Sequence, residues 1–170
     1  MRNTWIRRIS AIRKDGVESA INLTCGLNCI IGASNTGKTR IAKTVEFACG
    51  GKELPFTDKT AYEIAQVTFV TNGGEVSLSR SIHVQNTIHV KSSNPMIVPG
   101  SYSVSSRAGK SINTVLLALL GVESTRRIAT NETYHTVAFT WNAIRHLMIV
   151  PEDQIGRARP SILFPKSTSL

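Results

Sequence analysis

The sequence predicts an α/β fold of the P-loop nucleotide-triphosphatase class, on three observations. An apolar run at residues 27–31 ends on a glycine. The octapeptide Gly32-Ala33-Ser34-Asn35-Thr36-Gly37-Lys38-Thr39 follows it, and an apolar period of helical spacing comes next. The octapeptide leaves four free positions between two glycines and closes on Lys-Thr, which is the spacing of a phosphate-binding loop. Such a loop turns successive backbone N–H groups toward an anion, and side chains at Gly32 and Gly37 would obstruct that turn. Lys38 then reaches the β- and γ-phosphates as a compact cation, Thr39 offers its hydroxyl to Mg²⁺, and the helix that follows points its positive end at the charge. The candidate cofactors are ATP and Mg²⁺.

The elements follow in order. Residues 4–12 read as a strand that ends in the turn Lys14-Asp15-Gly16, and residues 17–23 alternate as a second strand. Residues 27–31 are the expected buried strand before the loop. The helix after Lys38 carries Ile41, Ala42, Val45, Ala48 and Cys49 on one face and stops at Gly50-Gly51. Residues 63–71 are rich in β-formers, Asn72-Gly73-Gly74 is a hairpin signal, and residues 75–82 alternate through Val76, Leu78, Arg80 and Ile82. Residues 87–91 extend this antiparallel set, and residues 92–106 read as a loop or irregular strand. Ser111 caps a helix with Ile112, Val115, Leu116 and Leu119 on its face, closed by Gly121. In the last apolar segment, residues 137–150, Trp141, Ile144 and Met148 keep helical spacing. Residues 147–150 then turn strand-like before Pro151.

A second Gly-Lys-Ser, at Gly109-Lys110-Ser111, is a decoy, because the required first glycine would fall on Val104. No apolar stretch approaches the roughly 20 residues of a membrane helix, and the N-terminus lacks a signal-peptide core. The expectation is a cytoplasmic protein with no membrane partner. Cys25, Cys29 and Cys49 read as small buried hydrophobes, and the histidines have no ligand spacing, so a metal site made of protein ligands alone is not expected. Twenty basic against eleven acidic residues leave a net charge of +9, which suits nucleic acid, an anionic nucleotide or an acidic partner. Arg80 and Arg40 are candidates to reach nucleotide or DNA, with solvated surface as the alternative.

The segment Gly26-Leu27-Asn28-Cys29-Ile30-Ile31-Gly32, the loop after it and the antiparallel insert that follows resemble the N-terminal half of an ABC-type ATPase head of the SMC, RecF and RecN type. The chain looks most similar to divergent bacterial members whose loop reads Ser-Asn-Thr-Gly-Lys-Thr, with Ser34 where better-known members have Asn. The resemblance implies an N-terminal lobe with an antiparallel β-rich part and few helices over residues 1–155, and residues 156–170, aperiodic with Pro160 and Pro165 among basic and serine residues, read as a flexible tail. It implies that residues 32–40 hold ATP, that Lys38 and Gln154 serve catalysis, and that Thr39 and Gln154 serve Mg²⁺. No Leu-Ser-Gly-Gly signature occurs. Residues 147–150 with Pro151-Glu152-Asp153 make a poor Walker B and a better glutamine-loop approach. The implied protein binds ATP and hydrolyses it only when a C-terminal half or a second head completes the site in a nucleotide-dependent dimer, acting on DNA in repair, chromosome organisation or defence. The chain stops where the family begins its coiled coil, which implies a truncated or split ATPase. A self-contained P-loop kinase or GTPase, and a basic nucleic-acid-binding module without catalysis, are the alternatives.

Overall fold

The computed structural model describes residues 4–57, 60–105, 109–123, 127–129 and 136–150. Alternating strands dominate them. β1 (Trp5–Arg13), β2 (Glu18–Asn22), β3 (Tyr62–Thr71), β4 (Gly74–Ser81), β5 (Thr87–Ser92) and β6 (Gly100–Ser103) form one sheet in the order β2-β1-β3-β4-β5-β6. Every neighbouring pair in it is antiparallel. The β3–β4 hairpin pairs Thr71 with Gly74 and so turns on the Asn-Gly signal. Three helices accompany the sheet: α1 (Lys38–Ala48), α2 (Ile112–Leu119) and α3 (Trp141–Met148). A small hairpin of β7 (Arg127–Ala129) and β8 (Thr136–Ala138), absent from the sequence reading, stands apart as a second sheet.

The expected α/β class is therefore corrected: the described residues make a mostly antiparallel sheet with three short helices. The only parallel pairing among them is the isolated bridge between Ser103 and Ser111. The error has a physical source. Residues 27–31 were read as a buried strand on apolarity alone, but they join no ladder, with Leu27 98% and Ile31 88% exposed. A strand is made by its neighbours, and no described segment lies alongside to supply hydrogen bonds. Residues 147–150 likewise end α3 instead of forming a strand, with Ile149 extended as its C-cap. Residues 151–153 and 156–170 lie outside the described residues.

The core has three parts, and the last turn of α1 belongs to all of them. Phe47 packs with Phe56, Ala65 and Ile82, Ala48 packs with Ile9 and Val67, and Cys49 joins the largest cluster, built from β4, β5 and α2. The buried face of α1 is Thr44, Phe47 and Ala48, rotated from the expected one, on which Ala42 stands exposed. Of the cysteines read as buried, only Cys49 is; Cys25 and Cys29 are exposed. On α2 the cap expected at Ser111 is present, its hydroxyl accepting from the Asn113 N–H at 3.3 Å.

Arg80 is the one buried cation in the sheet. The two-residue period of β4 puts it on the inward face with Val76 and Leu78, and it is 4% exposed. It is therefore not the solvated surface arginine that the sequence reading held as the alternative. Its Nη1 donates to the carbonyls of Phe47 at 2.6 Å and Gly51 at 2.7 Å, its Nε donates to Gln85 at 2.8 Å, and its guanidinium lies 4.0 Å over the Phe47 ring. It thus satisfies carbonyls at the negative end of α1 and pins that end to the sheet. Burial lowers its pKa from 12.5 to about 10, so it stays cationic at neutral pH.

Two measurements test this core. Phe47→Ala is expected to lower the unfolding free energy by about 3–5 kcal/mol in urea titration, the cost of an emptied aromatic site. In native alkylation at pH 8, Cys25 and Cys29 react while Cys49 does not, because burial pushes its thiol up to about 12. Labelling of all three at one rate would contradict the packing.

Candidate functional site

Residues 32–37 form an exposed irregular loop that runs into α1, as the octapeptide spacing predicts. Two of its residues take left-handed backbone, Asn35 at φ 61° and Gly37 at φ 90°, and Gly37 is the N-cap of the helix. That conformation favours glycine at position 37, while asparagine is among the few side chains that tolerate it at position 35. A Cβ on Gly32 would lie 3.0 Å from the Thr36 hydroxyl, so glycine also lets the loop close on itself there.

The loop folds around its own lysine. Lys38 Nζ donates to the carbonyls of Gly32 at 2.7 Å and Ala33 at 2.5 Å, and lies 3.4 Å from Thr36 Oγ1. Thr36 Oγ1 itself donates to the Ala33 carbonyl at 2.8 Å. These bonds hold the ammonium across the mouth of the loop, next to the start of the helix. No side chain caps α1, and its first turn carries no acidic residue. Its leading N–H groups therefore keep their positive end toward a cleft of about 700 Å³, lined by Ser34, Asn35, Thr36, Gly37, Lys38, Thr39 and Arg40. The side chains of Ser34, Asn35 and Thr39 make no hydrogen bond among the described residues, so the Thr39 hydroxyl is available to a ligand.

The cleft is chemically one-sided. It offers two cations, three hydroxyls and an amide, and no carboxylate among the described residues lines it. Such a surface suits a polyanion, and Mg²⁺ would reach it carried by phosphates, with Thr39 as the hydroxyl that the loop spacing assigns to the ion. The residues fit the triphosphate end of a nucleotide, while the carboxylate that would hold the metal or orient water has no counterpart here. Among the described residues no group of three or more His, Cys, Asp or Glu side chains converges. Arg40 is exposed at the rim, where it lines both this cleft and the neighbouring groove beside β1 and β2. Gln154 lies outside the described residues.

The structure thus brings together the contiguous residues 32–40. Sequence reasoning missed the anchoring of their helix by Arg80, which a charge on the inward parity of an apolar strand could have signalled. No helix among the described residues is long and apolar enough to cross a membrane. No protein-family model matches the chain, and no curated protein matches it significantly.

If the left-handed turn at position 37 matters as the geometry requires, Gly37→Ala costs about 1–2 kcal/mol of stability by thermal or urea unfolding. An equally stable variant would mean that the turn relaxes freely.

Proposed function

We propose that the chain is the ATP-binding N-terminal lobe of an SMC/RecF-like ATPase that acts on DNA. The observation that carries this reading is the loop at residues 32–39: exposed, left-handed at Asn35 and Gly37, with Lys38 drawn across its mouth and an uncapped helix behind it. An incoming triphosphate exchanges the Lys38 contacts with the carbonyls of Gly32 and Ala33 for charge-assisted contacts with phosphate oxygens, which are the stronger bonds. The helix N–H groups take the β-phosphate, and Thr39 takes the Mg²⁺ that arrives with the nucleotide. The Lys38 and Thr39 roles rest on motif and geometry together, and those of Arg40 and Gln154 on the resemblance.

Binding in this reading precedes hydrolysis, and a partner supplies the second step. Without a described carboxylate the cleft can hold charge but has no group among the described residues to take the proton of an attacking water. The exposed apolar side chains of Leu27 and Ile31, one segment before the loop, support a partner that covers this side of the molecule. That partner is a C-terminal half or a second head, brought in by nucleotide. The net charge of +9 supports DNA as the polyanion on which the assembly works.

The test is calorimetric titration of the chain with ATP and Mg²⁺, beside Lys38→Ala. Loss of the ammonium is expected to weaken binding by about tenfold or more, the value of a charge-assisted contact. Unchanged affinity in the variant would sink the assignment. The isolated chain is also expected to release phosphate no faster than buffer, and turnover by it alone would favour a self-contained kinase or GTPase.

A further inference from the structure

The molecule has a second polar cavity, at the other end of α1, about 16 Å from the loop by the rise of an 11-residue helix. It measures about 770 Å³ and lies among α1, α2, α3 and the β4–β5 turn. Lys52, Arg80 and Arg145 line it beside Asn86, Asn142 and Trp141, and no carboxylate among the described residues does. Arg145 is paired with Glu46 at 2.8 Å, whereas Lys52 and Arg80 have no ion-pair partner among the described residues. Three cations against one carboxylate leave two positive charges unmatched around the cavity.

Arg80 supplies the decisive observation. A guanidinium carries five N–H donors, and the carbonyl bonds to Gln85, Phe47 and Gly51 use those of Nε and Nη1. Nη2 makes no hydrogen bond among the described residues, yet it is not sealed from the cavity that the residue lines. Anchoring α1 explains Nε and Nη1 and leaves Nη2 over. A side chain this deeply buried, lining an open space without a described carboxylate and keeping unused donors, has capacity for an anion.

We propose that this cavity is a phosphate site, in which Arg80 Nη2, Lys52 and Arg145 receive one phosphoryl group from a nucleotide or a nucleic-acid backbone. Phosphate matches the set, since Arg80 Nη2, the Arg145 donors not paired with Glu46 and the Lys52 ammonium can each meet one of its oxygens. Asn86 and Asn142 provide neutral donors at the wall, and the Trp141 ring offers a surface for a base. The main-chain N–H of Trp141 is held by Asn113 Oδ1 at 2.5 Å, which ties the start of α3 to α2. This site does not depend on the loop reading, because it shares no residue with residues 32–40.

The test reads the indole N–H resonance of Trp141, assigned with Trp5→Phe, during titration with inorganic phosphate. It is done in the Lys38→Ala background so that the loop stays silent. Saturable displacement is expected, with the midpoint raised about tenfold in Lys52→Gln and in Arg145→Gln, the loss of one charged contact each. Lys52 is exposed, so its variant folds. Absence of a saturable shift, midpoints unmoved in both variants, or the same shift with chloride at equal ionic strength would each overturn the proposal. Adenosine monophosphate and a short oligothymidylate then separate the sources. Tighter binding of the mononucleotide identifies a nucleotide, and oligonucleotide binding that falls steeply with salt identifies a nucleic-acid backbone.

Discussion

The contact between Arg80 and the C-terminal end of α1 is the constraint on which the rest of the structure depends. One strand residue satisfies two carbonyls of that end, covers the Phe47 ring and keeps a positive charge inside a largely apolar sheet. Desolvation penalises the charge, and the carbonyls and the ring offset that penalty, so the pair is stable only while the helix and β4 stay in register. The last turn of α1 then shares its side chains among all three core clusters. A helix held so firmly at one end presents its other end, and the loop attached to it, at a fixed point in front of the sheet.

That arrangement gives α1 two electrostatic faces. Its N-terminal end has no cap, no acidic residue and a lysine folded over it, and opens on a cleft with no negative charge. Its C-terminal end is neutralised by a buried guanidinium whose remaining donors open on a second cleft, again without a carboxylate. Both clefts suit anions, although the helix dipole favours an anion only at the first. At the second, the attraction must come from side-chain cations, and more of them are present there than the helix end needs.

The exposed run at residues 27–31 fits the same logic. Among the described residues, Leu27 is 98% and Ile31 88% exposed. The antiparallel sheet is complete without them, since β2, β1 and β3 already pair in sequence. In the proposed reading, these apolar side chains beside a charged loop are where the partner that completes the site would dock.

Much of the local structure was legible in the residues themselves. β-forming residues and turn signals, with period-two alternation in β2 and β4, marked β1, β2, β3, β4 and β5 to within a residue or two, Ser111 marked the start of α2, and the glycine-lysine spacing marked the loop and the first turn of α1. These signals are readable because each depends on neighbours in the chain: a turn residue, a cap, the parity of a strand. The fold class was not legible, because a strand exists only when another segment lies beside it, and residues 27–31 have the composition of a strand without the partner. The face of α1, the exposure of Cys25 and Cys29, and the role of Arg80 were decided the same way, by which surface each met after folding. The sequence alone marked the residues that are proposed to grip a phosphate. Only the tertiary structure decided how their helix is anchored and where a second set of cations converges, because charge and burial are properties of what surrounds a side chain.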